Sequence, residues 1–171
     1  LIYSYLYFEN EILKASTLSK QMYERFPGHP YFIYLYAESL IRLNRITEFE
    51  TLITKLKNKK DNYPKIQERE CSNKFNYLMA LYYFRKNDYT NSLIYCNEVT
   101  DNYFMEMDWL LGYNFLLMGK IFDLNSDREN AIIYYEKTLS MDNLFIYKEW
   151  AENYIETSYI TQEKDPLFIN K

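Results

Sequence analysis

Apolar residues recur three and four positions apart along almost the whole chain, the period of helices that bury one face. Tyr31, Ile33, Leu35, Tyr36, Ala37, Leu40, Ile41 and Leu43 crowd one such segment. Pro30 opens it, and a proline suits a first turn because its missing N–H would have no partner there. The segment stops near Asn44 and Arg45. A second, over 47–57, carries Phe49, Leu52, Ile53 and Leu56. Residues 75–86 and 89–99 repeat the layout, with Asn87 and Asp88 as the turn and Asp88 as the cap. Residues 109–124 and 127–141 form the next pair, where Ser126 and Glu129 read as a Ser-x-x-Glu capping box. The first pair is 2–8 and 11–25, with Asn10 as its cap. A last amphipathic helix covers 144–159, and strand-like alternation persists nowhere. The pattern predicts an all-α fold: one domain over 1–171, with helical hairpins at about 1–27, 30–58, 73–100 and 108–142. The charged or irregular stretches 58–72 and 101–107 read as loop insertions, the first with room for one short helix near 66–70.

The hairpins share a period, and internal repeats are the first thing to test in an all-helical chain. In the fourth, Gly119 lies between the bulky Met118 and Phe122, Ala131 follows twelve residues on, and Tyr135 four beyond that. Small residues at both places let two helices approach closely while large neighbours fill the grooves. In the third hairpin Ala80 and Ser92 take these places. In the second Ala37 takes the first, but Phe49 stands where a small residue is expected. In the first, Tyr3 replaces the small residue and Ala15 follows twelve later. The step from Tyr3 to Ala37 is 34 residues, and the next two are 43 and 39. The surplus falls in the two insertions, where added length costs little entropy.

Composition narrows the function. The chain has 171 residues, enough to bury a core without metals or disulfides. Its 20 basic and 24 acidic residues leave a net charge of −4, so nothing marks it for nucleic acid or an anionic membrane. The one histidine, His29, sits in a Pro-Gly-His-Pro turn and cannot build a multi-histidine metal site. Gly28, Gly112 and Gly119 stand apart, so no glycine-rich phosphate loop exists. Cys71 and Cys96 read as free thiols in a reducing, intracellular setting, nuclear or cytoplasmic. No apolar run is long enough to span a membrane. The opening residues 1–8 lack an initiating Met and a basic leader, and read as part of a longer chain rather than a signal peptide. Acidic pairs such as Asp101 and Glu106 sit among solvated residues. No enzyme, cofactor or small-molecule substrate is expected.

The ordered small and bulky positions around Gly119, Ala131 and Tyr135 resemble the tetratricopeptide repeat. The implied fold is a superhelix of about four hairpins and a C-terminal helix, whose first helices line a concave groove. That reading puts Tyr31, Tyr34, Glu38, Ile41 and Arg42 in the groove, followed by Tyr77, Leu81 and Phe84. Such a lining suits an amphipathic helix. The first helix, with Ile2, Tyr3, Leu6 and Tyr7, has almost no polar face, and a second copy of the chain is the expected cover. The run from Trp109 to Phe122, the run from Tyr134 to Trp150, and the block Tyr36–Arg45 narrow the likeness further. They resemble the N-terminal tetratricopeptide domain of a scaffold subunit of the anaphase-promoting complex, notably the cell-division-cycle subunit that receives activator tails. The resemblance implies a homodimerising, non-catalytic scaffold in a ubiquitin ligase of the cell cycle, bound to the other subunits, with the first helix of each copy in the other's groove. The alternative is a monomeric adaptor whose groove takes a peptide or helix of another protein.

Overall fold

In the computed structural model the described residues are 1–57, 65–103, 107–141, 146–160, 165, 167 and 168, with backbone alone at 55–57 and 65–68. They form nine helices and no strand: α1 Ile2–Tyr7, α2 Ile12–Arg25, α3 Pro30–Arg42, α4 Ile46–Lys57, α5 Lys65–Arg85, α6 Tyr89–Asp101, α7 Asp108–Leu124, α8 Arg128–Leu139 and α9 Tyr147–Glu156. The fold is all-α. Consecutive helices pair off across short turns.

Four of those turns share one backbone device. Asn10, Asn44, Asn87 and Ser126 have φ of 52°, 59°, 58° and 62°, and they are the non-glycine residues with positive φ among those described. Asparagine tolerates this left-handed state better than most residues, and it ends helices where glycine is missing. In the last three turns the next residue's N–H reaches back to a carbonyl five residues earlier. These bonds are Arg45 to Leu40, Asp88 to Tyr83 and Asp127 to Phe122, each 2.9 Å. Each left-handed residue stands seven positions after Tyr3, Ala37, Ala80 or Gly119. The turns therefore step along the chain by 34, 43 and 39 residues, as the small positions do.

The turn geometry corrects two expected caps. Asn10 lies outside α2, whose N-cap is Glu11 without a side-chain bond. Ser126 spends its place on the left-handed turn, so Asp127 caps α8 instead, accepting from the Asn130 N–H at 3.3 Å. Asp88 caps α6 in the same way through the Asn91 N–H at 3.2 Å.

Other boundaries shift as well. The insertion expected over 58–72 is helical from Lys65 onward, because α5 runs 21 residues; 58–64 lies outside the described residues. The insertion at 101–107 is interrupted similarly, with 104–106 outside the description and Asp101 ending α6. The helix expected over 144–159 spans Tyr147–Glu156, and 142–145 is not described.

The described residues group into two compact units: Leu1–Leu78 with Glu163–Lys171, and Met79–Gln162. In the first, α1 packs on α2 and α3, α2 on α3, and α3 on α4. In the second, α6 packs on α7, α7 on α8, and α9 on both α7 and α8.

Two glycines in the second unit are close-approach sites. A Cβ at Gly119 would collide with the Tyr135 ring, and one at Gly112 with the Tyr147 ring. Ala131 is fully buried beside them, as are Ala15, Ala37, Ala80 and Ser92 at the matching positions elsewhere. The Ser92 hydroxyl donates to the Ala80 carbonyl at 2.7 Å, which ties α6 to α5. Two ring stacks also keep register: Tyr83 on Tyr95 at 5.5 Å, and Phe122 on Tyr134 at 5.2 Å. Leu6 with Leu18, and Leu40 with Leu52, occupy the same positions in the first two hairpins.

Candidate functional site

Most residues expected to line an open groove are interior. Ile2, Leu6, Tyr7, Tyr34, Glu38, Ile41, Arg42, Tyr77, Leu81 and Phe84 are all buried within the single chain. Tyr3 is half-buried, and Tyr31 is 38% exposed. The correction has a local cause. Ile2, Leu6 and Tyr7 of α1 are covered within its own chain, where α1 packs on α2 and α3, and its inner end meets a polar cluster.

That cluster is built on α3. Glu38 and Arg42 are one helical turn apart, pair at 2.5 Å, and have wholly buried side chains. The Tyr7 hydroxyl donates to the other Glu38 oxygen, and the Tyr34 hydroxyl lies 3.2 Å from that of Tyr7. Arg42 also donates to the Leu6 carbonyl at 3.3 Å, in the last turn of α1, where carbonyls lack helical partners. Burial, with the Glu38 carboxylate beside them, pushes both Tyr7 and Tyr34 well above the ordinary tyrosine range. A short apolar helix is thus fixed in register by polar bonds as well as by area.

The second unit uses a similar device. Asp123 pairs with Arg128 at 3.0 Å, accepts from the Tyr135 hydroxyl at 2.9 Å, and accepts from the Tyr159 N–H at 2.7 Å. Arg128 then donates to the carbonyls of Tyr154 and Ile155 at 2.8 and 2.6 Å, near the end of α9. The Lys120 ammonium is buried under the Tyr154 and Tyr159 rings, 5.3 and 4.9 Å from their centroids.

Open apolar surface concentrates on the first hairpin and the start of α3. Leu1, Phe8, Leu13, Phe26 and Tyr31 are five of the eight large apolar residues described as exposed. Three cavities lie there. One of about 280 Å³ runs between Leu1, Leu18, Met22 and Tyr31. A second, about 470 Å³, shares Leu1 and Leu18 with it and is bounded by Tyr5 and Leu13. The largest, about 640 Å³, shares Tyr31 with the first and sits between the α2–α3 turn and the start of α5. Its walls are mainly rings and prolines, with the Glu70–Lys74 ion pair and Cys71 on the α5 side. Periodicity could not find this cavity, because Glu70 and Cys71 of its α5 wall lie in the stretch read as a loop insertion.

Both cysteines are free. Cys96 is buried, which pushes its thiol far up. Cys71 is half-buried, and burial raises it too. Among the described residues no group of three His, Cys, Asp or Glu is placed to hold a metal ion. No described helix is long and apolar enough to cross a membrane. Comparison with protein families, curated proteins and solved structures found no match to this chain.

Proposed function

We propose that this chain is a non-catalytic protein–protein interaction module of the tetratricopeptide type that pairs with a second copy of itself. The observation that carries the reading is the crowding of exposed apolar side chains onto the first hairpin, since contiguous apolar surface marks an interaction site. The shared register of turns, close-approach residues and ring stacks supports the repeat assignment. Assembly into the anaphase-promoting complex, in the nucleus or cytoplasm, is supported by the sequence resemblance alone. The site of pairing shifts from the one expected. Leu6 and Tyr7 are interior, so the contact falls to the outer residues Leu1, Phe8 and Leu13.

Light scattering tests this. The expected mass is twice that of the 21.0 kDa chain. An obligate interface of this kind buries roughly 2,000 Å² or more. Leu13→Glu and Phe8→Glu should each give folded monomers. A monomeric parent chain, or dimers untouched by both changes, removes the proposal. Assembly into the ligase would appear as co-purification of its other subunits with the tagged protein in cells, and their absence would remove that assignment.

A further inference from the structure

The 640 Å³ cavity at the start of α3 falls in the size range of ligand sites. Its charge state selects the occupant. The Lys74 ammonium is buried, is held by the Glu70 carboxylate, and lies 5.3 Å from the centroids of both the Tyr31 and Tyr34 rings. The two charges already neutralise each other, so an incoming ion of either sign meets one attractive and one repulsive partner and gains no unmatched counter-charge for the water it loses. An uncharged group avoids that desolvation cost. Lys74 has three N–H donors and one carboxylate partner here, so a ligand carbonyl would gain a charge-assisted bond. Ring walls favour an aromatic group, which packs edge-to-face or offset on tyrosine and phenylalanine.

The rim decides the source. Phe26 is 43% exposed, and Tyr31 links this cavity to the 280 Å³ one beside it. A free small molecule would leave that apolar collar bare, whereas residues flanking an aromatic anchor would cover it. We infer that the cavity takes an uncharged aromatic side chain from an apolar segment of a partner polypeptide, with a backbone carbonyl of that segment accepting from Lys74. This site stands apart from self-association, and either reading survives the failure of the other.

Cys71 lines the cavity while Cys96 is buried, so alkylation of Cys71 reports occupancy by peptide mass. The probes are N-acetyl-tryptophanamide, its free-acid analogue N-acetyl-tryptophan, and capped acetyl-Leu-Trp-Leu-amide. The amide should slow alkylation of Cys71 in a saturable way, and the acid should do so more weakly. The capped peptide should half-saturate at a concentration about tenfold below the amide, as its flanks bury the collar. Phe26→Ala and Tyr31→Ala, both at exposed positions, should each raise the half-saturating peptide concentration about fivefold. Three outcomes each overturn the proposal: no saturable protection, an acid that protects as well as the amide, or a peptide no better than the amide.

Discussion

Glu38 and Arg42 form a wholly buried ion pair, so single changes there should be costly. Removing one partner leaves the other buried and uncompensated, so Arg42→Met should cost about 3–5 kcal/mol in urea unfolding. Replacing both with apolar residues of similar size should recover most of that loss, because the pair's desolvation roughly offsets its attraction. Tyr7 and Tyr34 add a pH dependence. Their folded pKa lies above the ordinary 10.0, so stability is full below about pH 10 and falls as pH rises past it. The slope should be about 1.4 kcal/mol per pH unit for each tyrosine that stays neutral when folded. Tyr7→Phe should reduce the slope by one such proton, read from denaturant midpoints between pH 9 and 11. None of this was legible in the chain's pattern. A glutamate and an arginine on an apolar helix face look like groove chemistry until a tyrosine from 31 residues upstream is seen to close over them.

Helices and their order were legible, because spacing of three and four survives wherever one face is buried. Their ends were less so. Ser126 and Asp127 are both good caps, and only the backbone shows that the serine is left-handed and the aspartate does the capping. Lys65 to Glu70 read as room for one short helix inside a loop, and its continuity with the helix that follows was hidden for another reason. It is highly charged and has few apolar residues to show a period, though Gln67, Glu68, Arg69 and Glu70 are all good helix formers. Two substitutions test the turns and the close approach. Ser126→Gly should raise stability by about 1 kcal/mol, since glycine takes positive φ without strain. Gly119→Ala should lower it by about 1–3 kcal/mol despite alanine's better helix propensity, because the Tyr135 ring occupies the methyl's space. Urea midpoints at constant slope would register both, and a stabilised Gly119→Ala would show that the ring can move aside.

For the whole molecule, a dimer makes stability a function of concentration. If the first hairpin pairs with a second copy, the melting temperature should climb with protein concentration in the parent chain and stay flat in Leu13→Glu. A flat response in both would match a monomer. Within each unit the packing is mostly between sequence neighbours. Sequence pattern shows which face of a helix is apolar. It does not show whether that face meets its own neighbour or another molecule, and that is why α1 read as a guest for a second chain.

The fixed distance from close-approach residue to left-handed turn behaves as a ruler. The chain lengthens only between one turn and the next close-approach residue: 27 positions from Asn10 to Ala37, 36 from Asn44 to Ala80, and 32 from Asn87 to Gly119. Inside the ruler nothing is added. A residue inserted between Ala80 and Asn87 would rotate one end of the helix against the other by about 100°, swinging buried side chains outward. Mutational drift and protein engineering therefore meet the same constraint: indels and grafted tags are absorbed between one hairpin and the next, and rejected from the close-approach residue through the turn to the second small position twelve residues on.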